Sequence, residues 1–133
     1  MAAITFAAFL AGCACTAIGC DNHLQFVTGN DIVPYMPYTA VVCVDDACAE
    51  GSLTPANGLR ALDGNFTLSV EQDTVGYVLD EGDLSGLHHV TFSLRDESGE
   101  VVGAFDDTIE FTKSEPNGGG TCGPTCWSAE LDV

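Results

Sequence analysis

Apolar and polar residues alternate with a period of two along most of this chain. Residues 38–45 set Tyr38, Ala40, Val42 and Val44 on one face and Thr39, Val41 and Cys43 on the other. Residues 65–72 put Phe66, Leu68 and Val70 inward and Thr67, Ser69 and Glu71 outward. Residues 88–95 set Val90, Phe92 and Leu94 against His89, Thr91, Ser93 and Arg95. A period of two is the repeat of a half-buried strand. The same pattern predicts strands over 24–28, 47–53, 75–79, 101–105 continuing through 108–113, and 127–133. Turn signals separate them: Gly29-Asn30-Asp31, Pro55-Ala56-Asn57-Gly58, Asp96-Glu97-Ser98-Gly99 and the loop Ser114–Thr121. Pro34-Tyr35-Met36-Pro37-Tyr38 holds too much proline for a central strand. After the N-terminal stretch no segment shows a capped helical period. Seven to eight short strands divided by turns predict an all-β chain folded as a β-sandwich.

The exception is residues 2–11, AAITFAAFLA, uncharged and apolar throughout. A bilayer span needs about 20 such residues, so this run suits the apolar region of an export signal. Leu10-Ala11-Gly12-Cys13 matches the lipobox of bacterial lipoproteins, where a peptidase cuts before an acylated cysteine. Residues 1–12 are therefore expected to be a lipoprotein signal peptide, residues 13–22 a lipidated cysteine with a short tether, and residues 23–133 the sandwich domain. Cys13 would carry the lipid, as palmitate or a related acyl chain, and hold the body on the extracytoplasmic face of the cell membrane. Ala17-Ile18-Gly19-Cys20 is a weaker second candidate, with Ala where the motif prefers Leu. No Lys or Arg precedes the apolar run, a departure explained if the true start lies upstream of Met1.

Setting Cys13 aside leaves Cys15, Cys20, Cys43, Cys48, Cys122 and Cys126, enough for three disulfides in an exported protein. Sequence alone permits many pairings. Cys43-Val44-Asp45-Asp46-Ala47-Cys48 reads as a hairpin tip: with Asp45-Asp46 as a two-residue turn, Cys43 falls opposite Cys48 at a site where cross-strand Cβ atoms come close. Cys122-Gly-Pro-Thr-Cys126 is the second local pair expected, and Cys15–Cys20 the remainder.

The stretch GLHHVTFSLRDESGEVV (residues 86–102) resembles a strand–turn–strand edge of bacterial immunoglobulin-like and fibronectin-type domains. LAGCACTAIGC (residues 10–20), with a closing Cys-Gly-Pro segment before the last strand, resembles small actinobacterial lipoproteins. The resemblance implies a lipid-anchored immunoglobulin-like sandwich. It carries over Cys13 and implies no activity.

Charge narrows the partners further. Twenty acidic residues against Arg60, Arg95 and Lys113 leave −17, so no basic groove for nucleic acid can form, nor a basic patch for anionic lipid. Residues 1–12 are uncharged, so the mature chain keeps the full deficit. A partner would be a protein or glycan of the cell envelope, met through aromatics such as Tyr35, Tyr38, Tyr77 and Trp127. No enzyme is expected. There is no G-x-S-x-G elbow, no H-E-x-x-H and no glycine loop leading into a helix, and successive His88 and His89 point to opposite faces of a strand.

No metal and no cofactor is expected. One alternative is an envelope carrier or chaperone for copper, using C-x3-C at Cys122 and Cys126 with His23, His88, His89 or Met36. Another is a Ca²⁺ site among the acidic clusters Asp45-Asp46, Asp80-Glu81-Gly82-Asp83 and Asp106-Asp107, which fall in turns or at strand ends. A zinc site on Cys43, Cys48, Cys122 and Cys126 has the wrong spacings.

Overall fold

The computed structural model describes residues 20–56, 59–80, 82–115 and 125–133. The expected signal peptide, Cys13, Cys15 and Cys122 lie outside the described residues.

The described chain is all-β: β1 Asn22–Val27, β2 Tyr38–Val44, β3 Ala47–Leu53, β4 Arg60–Asp63, β5 Phe66–Ser69, β6 Thr74–Leu79, β7 Leu87–Arg95, β8 Val101–Glu110, β9 Thr112–Ser114 and β10 Cys126–Asp132. They form a six-stranded sheet ordered β4-β5-β6-β1-β10-β9 and a four-stranded sheet ordered β3-β2-β7-β8. This arrangement is compatible with a β-sandwich. Leu24, Phe26, Phe66, Leu68 and Val75 of the first sheet share a core with Ala40, Val42, Val90, Phe92 and Leu94 of the second. Phe26 stacks on Phe92 across the gap, ring centroids 3.9 Å apart and 8° from parallel. Each such buried ring contributes about 1.5–3 kcal/mol through lost water contact.

The alternation seen in the sequence is the alternation of burial. In β2, Tyr38, Ala40, Val42 and Val44 are buried and the residues between them half-buried. In β7, Val90, Phe92 and Leu94 are buried. Turn carboxylates close the connections. Asp96 Oδ1 accepts the Ser98 N–H (2.9 Å), the Ser98 hydroxyl (2.6 Å) and the Glu100 N–H (3.0 Å). The bond from the Ser98 hydroxyl, foremost, and those from neighbouring N–H groups hold the Asp96 carboxyl below the usual carboxylate range. Asp73, at φ 53°, accepts the Ile32 N–H at 2.9 Å and the Thr28 N–H on its carbonyl, tying the β5–β6 turn to the loop after β1.

Several expectations need correction. Ten strands are present among the described residues, because Arg60–Asp63 forms an edge strand and Thr112–Ser114 a short one. β8 is continuous from Val101 to Glu110, so Asp106 and Asp107 lie within a strand, opposite Thr91 and Val90, rather than in a turn or at a strand end. As an edge strand β8 carries these charges without burying them. β1 and β10 pair in parallel, His23 beside Ser128 through Val27 beside Asp132. Tyr38 is a core residue, 3% exposed, its hydroxyl accepting the Val33 N–H at 2.8 Å.

The disulfides split. Cys43 pairs with Cys48 across the β2–β3 hairpin, Cα atoms 4.0 Å apart, as its register requires. Cys126 pairs with Cys20, not Cys122, with Cα atoms 6.0 Å apart. The parallel β1–β10 pairing causes this. It brings Cys20, two residues before Asn22, alongside the start of β10, and thereby overturns both the 122–126 and the 15–20 pairings.

Candidate functional site

Two features converge on the end of the molecule that carries the β2–β3 turn. The first is a pair of histidine–carboxylate contacts. Asp45 opens the two-residue turn at φ 55°, the left-handed backbone that primed hairpin turns use at this position and that Asp tolerates better than most residues. The turn thereby extends the β2–β7 ladder by one step. The Asp45 N–H donates to the His89 carbonyl (2.8 Å), and Asp45 Oδ1 accepts the His89 N–H (3.1 Å). Asp45 Oδ2 then meets Nδ1 of His88 at 2.7 Å.

The other ring nitrogen of His88, Nε2, faces the Ser85 carbonyl at 3.1 Å, and Phe111 meets the ring edge-on at 5.7 Å. A carboxylate and a carbonyl only accept, so a ring that serves both must carry both protons. This raises the His88 pKa above the ordinary histidine value, the Asp45 hydrogen bond being the main cause. The same bond, with the His89 N–H, lowers Asp45. Nearby Asp83 is also lowered, because the Ser85 N–H donates to it at 2.9 Å. On the opposite face of β7, His89 Nε2 meets Asp106 Oδ1 at 2.6 Å with both side chains exposed. The two histidines thus serve separate partners. The cluster's chemistry is that of a held proton.

The second feature is a groove between β3 and the first sheet. One end, about 150 Å³, is lined by Val44, Ala47, Cys48, Leu79 and Asp80. The other, about 300 Å³, is lined by Ala49, Glu50, Asp63, Asn65 and Phe66. Tyr77 lines both and packs on Phe66 with centroids 4.7 Å apart. Gly51 lets β3 come this close: a Cβ there would lie 2.5 Å from the Phe66 ring. Among the described residues, Glu50, Asp63 and Asp80 are the charged side chains of the lining, which includes no Lys, Arg or His.

The four aromatics singled out in the sequence scatter. Tyr35 is 68% exposed on the loop before β2, Tyr77 lies in the groove, Tyr38 is buried, and Trp127 is half-buried against the core with Lys113 Nζ 6.0 Å from its ring centroid. His23 sits at the start of β1, bonded to the Asp21 carbonyl, remote from the His88 pair in sequence and sheet. Met36 packs against the core. Among the described residues, no group of three or more His, Cys, Asp or Glu side chains is disposed to hold a metal ion. The groove escaped the sequence reading. Its signal was the run of small residues Ala47, Cys48, Ala49 and Gly51 in β3, where bulkier side chains would have covered the edge. No family model, curated protein or solved structure matches the chain, so its functional reading rests on the chemistry of this end of the molecule.

Proposed function

We propose that the chain is a lipid-anchored extracytoplasmic binding module with an immunoglobulin-like sandwich body, held to the cell membrane through Cys13 and engaging a protein or glycan of the envelope without catalysing a reaction. The observation that carries this reading is the cystine pairing. Cys20 bonded to Cys126 and Cys43 bonded to Cys48 suit an oxidising compartment outside the cytoplasm. The immunoglobulin-like type draws support from the connections. The chain passes from β1 in one sheet to the β2–β3 hairpin in the other, back to β4-β5-β6, and over again to the β7–β8 hairpin, in the manner of a Greek key. The parallel β1–β10 pair is a departure from an all-antiparallel sandwich. A copper carrier built on C-x3-C would need the Cys126 thiolate, and that sulfur is committed to Cys20.

Changing Cys13→Ser tests the anchor. The variant is expected in the medium or as an unprocessed precursor, and the parent in the membrane fraction with an acyl mass on its N-terminal peptide. A Cys13→Ser protein that fractionates with membranes as fully as the parent would overturn the reading.

A further inference from the structure

We propose that the groove beside β3 receives an extended, lysine- or arginine-bearing peptide segment that adds as a strand to the open edge of β3. The proposal rests on the binding-module reading and names its partner class. Among the described residues β3 is the terminal strand of its sheet, paired only with β2. Its register with β2 runs unbroken from Val44–Ala47 to Tyr38–Leu53. The Ser52 N–H points away from β2, since it donates to Asp63 Oδ2 at 2.8 Å. Backbone direction repeats every second residue, so the N–H and C=O groups of Glu50 and Cys48 point out of the same open edge.

Asp63 caps this edge at Ser52, where β4 comes alongside. Toward the hairpin tip the edge opens over the groove. Native sheets guard such edges with charged side chains (lysine above all), proline or bulges. Residues 47–50 read Ala-Cys-Ala-Glu: the one charge, Glu50, repels an acidic strand but not a cationic one, and the three residues before it are small enough for another backbone to approach. A strand laid there places alternate side chains over Tyr77, between Glu50 on one wall and Asp63 and Asp80 on the other. Three carboxylates with an aromatic floor select a cationic side chain. The occupant is not a second copy of this chain, because two bodies of net charge −17 repel.

The test uses the purified full-length protein in neutral detergent with two probes, a ten-residue alternating Lys-Thr peptide and its Glu-Thr counterpart. The Lys-Thr peptide is expected to bind, weaken as NaCl rises, and slow hydrogen exchange at the Cys48 and Glu50 amides. The Glu-Thr peptide is expected not to bind. Glu50→Gln removes charge alone, whereas Glu50→Pro also removes the edge N–H, at a non-hydrogen-bonded pair with Val41 where that N–H does not serve β2. Affinity should fall about threefold for Glu50→Gln and a further tenfold or so for Glu50→Pro. The exchange measurement on the parent stands even if the proline variant folds poorly.

Equal affinities of folded Pro and Gln variants, or unchanged exchange at the two amides, would overturn strand addition. Failure of the Lys-Thr peptide to bind, or a concentration-dependent dimer that excludes it, would overturn the partner class. Either failure leaves the anchor test at Cys13 untouched. Capture of an envelope partner by the Glu50→Pro protein at the parent's level would move binding elsewhere and refute the groove alone.

Discussion

At the scale of single residues, His88 is where protonation and fold are coupled. Its ring is 17% exposed, between Asp45 of the β2–β3 turn, the Ser85 carbonyl before β7 and Phe111 after β8. Asp83 lies at the same end, lowered mainly by its bond from the Ser85 N–H and more weakly by the charges of His88 and Lys113, and His89 turns away toward Asp106. The folded pKa of His88 is raised, so its stabilisation is complete below the unfolded value of about 6.5 and is lost as pH rises through the folded pKa. The folded pKa of Asp45 is lowered, so its contribution is present above about 3.9 and disappears as pH falls through the depressed value. The pair supports the turn best between those limits. Melting curves should show the parent losing stability from pH 6 to pH 8, while His88→Gln, which retains a donor but cannot be protonated, should be flatter across that window. Parallel slopes for the two proteins would mean that the His88–Asp45 contact contributes nothing to folding.

Among the elements, the two disulfides should differ in weight. The 43–48 bridge closes a short loop already closed by the hairpin, whereas the 20–126 bridge joins cysteines 106 residues apart and staples β1 to β10. On the chain-entropy account the shorter bridge contributes about 2 kcal/mol and the longer about 4.7 kcal/mol. Paired Cys→Ala changes should therefore lower the melting temperature more at 20 and 126 than at 43 and 48, and peptide mapping of the oxidised protein should recover a 20–126 linked peptide. Recovery of a 122–126 peptide in its place would refute that staple. The contrast also marks what was legible in the sequence. Cys43 and Cys48 flank a two-residue turn inside one alternating hairpin, so local spacing was enough to pair them. The Cys20–Cys126 bond depends on which strand lies beside β1, and alternation within β1 and β10 says nothing about their being neighbours or parallel. β4 was hidden for a related reason: Arg60-Ala61-Leu62-Asp63 buries one residue only, so its pairing to β5 leaves almost no hydrophobic signature. Asp106 and Asp107 misled because paired carboxylates usually break a strand, yet on an edge strand both remain in water. The groove's carboxylates come from β3, β4 and the residue just after β6, which only the assembled sheets bring together.

Across the whole molecule, charge sets the terms. Of its few cations, Arg95 is engaged by the Gly99 carbonyl at 3.1 Å and Lys113 lies 3.7 Å from Glu115, so little positive charge offsets the twenty acidic residues. Folding brings those carboxylates closer together than they are in an extended chain, and the resulting repulsion is screened by salt while hydrophobic burial is not. Raising NaCl from about 10 mM to about 150 mM shortens the screening length from roughly 30 Å to roughly 8 Å, less than the width of the domain. The melting temperature should climb across that range. Divalent ions separate screening from binding. Asp63, Asp73, Asp83 and Asp96 each accept a backbone N–H within a turn or against a neighbouring strand, so part of their lone-pair capacity already serves the fold. A Ca²⁺ ion needs six to eight oxygens, and Mg²⁺ screens equally while fitting flexible carboxylate–carbonyl loops poorly. At matched ionic strength the Ca²⁺ and Mg²⁺ melting curves should overlay. If millimolar Ca²⁺ instead raises the melting temperature above the Mg²⁺ curve, a ligand is binding the folded state by mass action, and the acidic turns are a cation site rather than solvated surface.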